Sequence, residues 1–387
     1  MAEVRRNGRE SVMMKPSAAE TRQPGEPNRC SRCLLPESYP GLVFDDQGVC
    51  NICLHFRKRP PAGEEALLEI FRANRGQTYD CLVGISGGKD SCYVAYLARK
   101  KYGLRVLAVC YDFPFMRELA RENVRNVCGT LGIDLEIIQT RDHLEYDLLK
   151  NHMRSMASTA TTWGQCLFCH YGIDAVLYGM AQKKGIPLVL GGVTKYELWD
   201  PGKRMGFLKQ RIMGLSLMAK IRFVFYQMKA FRKLVAQRRE FPLPGNSKLN
   251  PYAKPIWPKE GPRLVNLFEY VAWNKDKIEK TLQEEVGWKK PDAALSWRYD
   301  CMLEPLLDFT YLKEFGVATV GIYLSNQIRD GLIGREAAMD ILRKSEDPAR
   351  LDTSLHEVCR FLKLSQETED KFLRRGAGKT EDRKRGK

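Results

Sequence analysis

Between residues 80 and 192 the chain alternates short apolar runs with longer stretches of helical spacing. "DCLVGI" (80–85) predicts a strand, and "SCYVAYLARKKYG" (91–103) a helix closed by Gly103. "LRVLAVCYD" (104–112) predicts a second strand and "FMRELARENVRNVCGTLG" (115–132) a helix ending near Gly132. "DLEIIQT" (134–140) predicts a third strand, followed by a helix over "DHLEYDLLKNHMRSM" (142–156). A further helix, "GIDAVLYGMAQKKG" (172–185), leads into the strand "IPLVLGG" (186–192). Strands alternating with helices of this length predict βαβ units, and hence an α/β fold with a doubly wound, mostly parallel sheet.

The flanks differ. Residues 1–27 are polar and dotted with Pro and Gly, a composition expected to be disordered. Residues 28–56 carry paired cysteines. "FRKRPPAGEE" (56–65) reads as a linker into the helical stretch "EEALLEIFRANRG" (64–76). Residues 203–241 interleave apolar and aromatic residues with many Lys and Arg and one acid, Glu240, which predicts a basic amphipathic helical insertion. It would suit RNA phosphates, a membrane surface or an anionic substrate, or simply present a solvated cationic face. Residues 251–310 are mixed, 311–373 predict a helical C-terminal region, and 374–387 form a basic tail.

Composition narrows the class. With 387 residues, 44% hydrophobic, the chain can bury a sizeable core in two or three domains. No run approaches the ~18 apolar residues of a membrane span, and the N-terminus lacks a signal-peptide apolar core. A cytoplasmic location is expected. The net charge of +16 favours anionic partners: nucleotides, nucleic acid, anionic sugars or a lipid surface.

The chemistry concentrates in "VGISGGKDSC" (83–92). Ser86-Gly87-Gly88-Lys89-Asp90-Ser91 follows a strand and opens a helix. Backbone N–H groups there converge on one point, with the positive end of the helix dipole behind them. Glycines admit phosphate close to the backbone, Ser86 and Ser91 add hydroxyls, and Lys89 adds a cation. A Walker A loop is excluded, because Val83 stands where its first Gly belongs and Asp90 follows the lysine. Asp112 ends the second strand, at the edge where such sheets bind ligands. It would face ribose or adenine, or cap the strand.

Twelve cysteines in a chain without an export signal point to metal or redox chemistry rather than a disulfide framework. Cys30-x2-Cys33-x16-Cys50-x2-Cys53 has the spacing of a closed four-thiolate zinc site, and the segment is too short to fold on burial alone. Cys166-x2-Cys169 is a third pair. With Cys301 it would supply three thiolates to a 4Fe–4S cluster. The same pair would also suit a second zinc site with His170, a redox dithiol or buried thiols.

The "SGGKDS" loop resembles the pyrophosphatase loop (PP-loop) of the adenine nucleotide alpha hydrolase-like superfamily. That resemblance implies a PP-loop ATP pyrophosphatase domain over 76–310, with Ser86 to Ser91 holding the departing pyrophosphate and Lys89, Asp90 and Ser91 as its catalytic residues. "GGVTKYELW" (191–199) resembles the superfamily's second nucleotide-side loop, with Gly191 and Gly192 at ATP and Glu197 on Mg²⁺. "NRCSRCLLPESYPGLVFDDQGVCNICLHF" (28–56) and "FGVATVGIYLSNQIRDGLIGREAAMDIL" (315–342) resemble the two terminal signatures of the N-acetyl sugar amidotransferases of bacterial surface-polysaccharide synthesis, including lipopolysaccharide O-antigen. By that resemblance the enzyme uses ATP, Mg²⁺ and Zn²⁺ to adenylate an acetamido oxygen on a nucleotide-linked sugar. Ammonia then replaces that oxygen and leaves an acetamidino group. Ammonia would come from separate glutaminase and cyclase-like subunits. The layout of loop, Cys-x-x-Cys and lone downstream cysteine is also similar to the iron–sulfur tRNA thiolation enzymes. Under that alternative sulfide is the nucleophile and tRNA or a small molecule the substrate.

Overall fold

The computed structural model describes residues 27–39, 41–139, 167–197, 261–291 and 298–374, with a few single positions between them. The N-terminal 26 residues, nearly all of the basic insertion 203–241, Cys166 and the tail beyond 374 lie outside the described residues.

Five strands form one sheet: β1 (Cys81–Gly84), β2 (Val106–Asp112), β3 (Asp134–Gln139), β4 (Leu188–Gly191) and β5 (Arg263–Asn266). They run in the order β3-β2-β1-β4-β5, and every pairing is parallel. The first four match the apolar runs of the sequence. β5 does not announce itself: "RLVN" has one fully buried residue, Val265, and gains strand geometry by pairing with β4. The order in which strands are added reverses between β1 and β4, so their C-terminal ends frame the crevice where open parallel sheets bind ligands.

Alternate residues of β1 enter different cores, as expected of a strand covered on both faces. Leu82 joins Leu107, Val109 and Val189 beneath Leu177 and Ala181 of helix α5 (Leu167–Lys183). Cys81 and Val83 join a larger core that runs without a break into the C-terminal helices and the cysteine segment. Helix α5 starts five residues earlier than the apolar spacing suggested. Of the helix expected over 142–156, the described positions 146, 149, 150 and 153 are helical.

Around the sheet lie α2 (Glu64–Ala73), α3 (Lys89–Tyr96), which passes into a π-turn at Leu97–Lys101, α4 (Glu118–Leu131) and α6 (Lys275–Val286). The helical C-terminal region comprises α7 (Glu304–Phe315), α8 (Thr319–Asp330), α9 (Arg335–Ser345), α10 (Pro348–Phe361) and α11 (Gln366–Arg374). The cysteine segment is a ribbon of two short antiparallel bridges, Arg29 with Pro36 and Phe44 with Cys50, ending in the single-turn helix α1 (Asn51–Leu54). It docks on α8 and its neighbours. Ser325 Oγ accepts from Leu34 N at 3.1 Å, Ser38 donates to the Phe315 carbonyl at 2.7 Å, and Arg29 pairs with Glu346 at 2.8 Å. Among the described residues no helix is long and apolar enough to cross a membrane.

Candidate active site

The turn from β1 into α3 is fixed by contacts that admit only glycine. Gly87 has φ +76°, and a Cβ there would fall 2.1 Å from the Ala120 carbonyl oxygen. The Gly87 carbonyl accepts from Trp288 Nε1 at 2.9 Å and from Asn123 Nδ2 at 3.4 Å. Asn123 is itself fastened to the backbone N–H and C=O of Lys289. Ser86 and Ser91 close the loop across its mouth: Ser91 Oγ accepts from Ser86 N at 3.1 Å, lies 3.2 Å from Ser86 Oγ and donates to the Gly88 carbonyl. These contacts fix the shape of the loop, with its N–H groups at the N-terminus of α3. Asp300 borders it, with its carboxylate 3.6 Å from where a Gly88 Cβ would sit.

The second loop, from Gly191 to Glu197 at the end of β4, packs directly on the first. A Cβ on Gly192 would lie 3.1 Å from the Asp90 carbonyl oxygen, and one on Gly191 would lie 2.6 Å from Asn266 Oδ1. Both glycines predicted for nucleotide approach thus also permit close packing of α3, β4 and β5.

Lys89 and Asp90 form a buried pair. The lysine is 2% exposed, its ammonium 2.6 Å from Asp90 Oδ2 and 5.5 and 5.7 Å from the ring centres of Trp273 and Tyr299. Trp273 Nε1 donates to the other Asp90 oxygen at 2.7 Å. Tyr299 in turn donates to Glu279 at 2.9 Å. Lys89, expected as the cation of the phosphate loop, lies in a cleft between these two aromatic rings.

Glu197 accepts from Thr194 N at 2.8 Å. Burial, and then the Asp90 charge, raise its carboxyl from the ordinary 4.5 to about 7, against the opposing pull of Arg298, the Thr194 amide and Lys89. Between those two values the folded chain keeps a proton that the unfolded chain releases, so this group's contribution to stability falls as pH rises through that window. Glu197→Gln should flatten the thermal stability profile between about pH 4.5 and 7 and raise the melting temperature at pH 8. An unchanged profile would remove Glu197 as the titrating group.

Asp112 sits at the end of β2, but both its oxygens are engaged: Arg121 pairs with one at 2.8 Å and Gln139 Nε2 donates to the other at 2.8 Å. A ribose or adenine contact would have to compete with Arg121.

The four ribbon cysteines converge. Cys30 and Cys53 Sγ are 3.9 Å apart, as are Cys33 and Cys50, and all four sulfurs lie within 4.8 Å of one another. A tetrahedral ion with ~2.3 Å metal–sulfur bonds sets its sulfurs about 3.8 Å apart, so the cluster fits one zinc ion. Backbone N–H groups of Arg32, Cys33 and Cys50 point at Cys30 Sγ, and Arg329 Nη1 points at Cys53 Sγ at 3.8 Å. Hydrogen bonds from Cys33, Cys50 and Cys53 hold the Cys30 thiol far below its ordinary range. Of the second expected cluster, Cys169 is half-buried on α5 and Cys301 is half-buried opposite Met116, while Cys166 lies outside the described residues.

The sequence reading missed Trp273, Trp288, Asn123, Asp300 and Tyr323. The first two bracket α6 in "VAWNKD" and "EVGWKK", which is the only local signal they carry.

Residues 72–198 match the protein-family model described as NAD synthase. This region is NAD synthase-like. An uncharacterized protein of Methanocaldococcus jannaschii, MJ1599, is 24% identical over 329 residues, which are 84% of this chain and 96% of that protein. The glutamine-hydrolyzing GMP synthase of Chlamydia muridarum is 29% identical over 85 residues, 22% of this chain and 17% of that enzyme. Among solved structures, the U34-tRNA thiolase NcsA of Methanococcus maripaludis, with its 4Fe–4S cluster, aligns over 84% of this chain and 88% of its own, at 15% identity and a TM-score of 0.36. With its glycine loop at the sheet's switch point, the NAD synthase-like region is that of an ATP-using enzyme of the adenylating kind.

Proposed function

We propose that the chain is an ATP-dependent, AMP- and pyrophosphate-forming N-acetyl sugar amidotransferase. One observation carries the finer reading: the two segments that resemble that family's terminal signatures pack on each other and on the loop after β4. Ser325 and Arg329 of α8 hold the ribbon at Leu34 and Cys53, while Asn326 and Asp330 of the same helix hold Tyr196 beside Glu197.

The chemistry follows from the parts. The acetamido oxygen attacks the α-phosphorus of ATP, the bond to the bridging oxygen breaks, and pyrophosphate leaves into the N–H groups of Ser86 to Ser91. Mg²⁺, for which Glu197 and Asp300 would be the ligands, would offset the charge on the leaving group. Ammonia adds to the resulting imidate carbon, the C–O bond breaks, and AMP departs. Ammonia comes from separate glutaminase and cyclase-like subunits; the GMP synthase relative is named for hydrolysing glutamine. The sugar is an intermediate of surface-polysaccharide synthesis, handled in the cytoplasm.

Mixing the protein with ATP, ammonia and acetamido nucleotide-sugars should yield AMP and the O-to-NH mass change in one sugar. Asp90→Asn and Lys89→Ala should each abolish AMP formation, because each leaves a buried charge without its partner beside the phosphates. Full turnover in both variants would rule out this phosphate site.

A second reading, thiolation through an iron–sulfur cluster, is favoured by the position of Cys301, one residue from the Asp300 that borders the loop. Iron and acid-labile sulfide after anaerobic purification, with AMP formed on tRNA rather than on sugars, would make it the better account.

A further inference from the structure

One face of α8 does more than hold Tyr196. Tyr323, Gln327 and Asp330 follow the i, i+4, i+7 spacing of a single helical face. That face is turned towards the loop after β4. The ring of Tyr323 lies 6.4 Å from that of Tyr196, and Asp330 Oδ2 accepts from the Tyr196 hydroxyl at 2.7 Å. It also reaches the adenylating site: Asp90, Glu197 and Tyr299 all act on the Tyr323 hydroxyl, which burial keeps protonated.

Three buried polar atoms in this corner have no hydrogen-bond partner among the described residues: Gln327 Nε2, Asp330 Oδ1 and Thr194 Oγ1. Their residues are 6%, 4% and 2% exposed. Buried polar groups are nearly always paired, so unpaired ones on a helix face and on the loop that it holds through Tyr196 point to a molecule that pairs them. The set is a donor, an acceptor and a hydroxyl that is both. Asp330 Oδ2 is ion-paired with Lys195, which leaves Oδ1 in need of a donor; a phosphate dianion has none to give, and a cation would leave the Gln327 amide unpaired. A neutral secondary amide satisfies all three.

We propose that the Tyr323, Gln327 and Asp330 face of α8, closed by Thr194, is the acceptor subsite and takes the acetamido group of the substrate. Gln327 Nε2 donates to the amide oxygen and Asp330 Oδ1 accepts the amide N–H. This rests on the amidotransferase reading and adds to it the residues that choose the substrate.

The test compares UDP-linked N-acetylglucosamine and N-acetylgalactosamine with UDP-glucose and UDP-galactose, on the full chain with zinc present. Wild-type protein should bind at least one acetamido sugar tenfold or more tightly than its hydroxyl counterpart. Gln327→Met, which keeps the shape, and Thr194→Val should each bring that ratio close to one, with ATP affinity unchanged in the Gln327 variant. Two variants on different elements guard against the misfolding of either. A wild-type protein without acetamido preference, or variants that keep it, would overturn the subsite; a buried water is then all that the corner holds. AMP release is measured separately. Acetamido preference without AMP would sink the amidotransferase reading and leave the subsite standing, whereas AMP formation with an unchanged ratio would sink the subsite alone.

Discussion

Gly87→Ala should abolish AMP formation and destabilise the fold by roughly 3 kcal/mol. A side chain there must adopt a left-handed backbone, at a cost of ~1–3 kcal/mol. Its Cβ must also push away the Ala120 carbonyl, 2.1 Å from the ideal position, with a comparable overpacking penalty of ~1–3 kcal/mol. Part of this is relieved if the loop swings outwards, but that movement breaks the Trp288 hydrogen bond to Gly87 and spreads the N–H groups of the cradle. The two losses are measured separately, by AMP release under saturating ATP and by thermal melting. A variant that melts lower yet turns over normally would show that the loop is structural and not the phosphate site.

The second large effect is expected at the ribbon. Cys30→Ser should empty the metal site and lower the melting temperature by roughly 10 °C or more. Zinc binding to such segments is folding free energy, on the order of 10 kcal/mol in isolated peptides. Cys30 is the sulfur towards which three backbone N–H groups point, and the serine oxygen, on a shorter bond to Cβ, meets them at altered distances. Without the ion, Leu34, Leu35 and Val49 lose the frame that buries them in the main core. Metal analysis and a melt on the same sample check this. Zinc content equal to wild type in the variant would end the four-thiolate assignment.

How much of this was legible in the sequence depends on the range of the contacts involved. β1, β2 and β4 are continuous apolar runs, and the glycines and serines of the loop announce their turn within six residues. The ribbon cysteines are readable because metal geometry imposes a spacing. β5 was hidden because "RLVN" is half solvent-facing and becomes a strand only beside β4. Trp273, Asp300 and Tyr323 reach the loop from 183 residues away and more in the chain, and no local pattern encodes such distances. Lys89 is the instructive case. Its identity and place in the motif mark a cation beside the loop, but Trp273 and Tyr299, both far downstream, build the cleft that buries it.

Because α8 grips the ribbon with Ser325 and Arg329 and the loop after β4 with Asn326 and Asp330, the sheet is not an excisable module. A minimal fragment beginning at the linker near residue 57 would retain every residue of the glycine loop, yet the shelf on which Tyr196 and Glu197 rest would have lost its footing. Swapping ribbons between homologues should therefore disturb turnover at a distance, unless the matching helix travels with them.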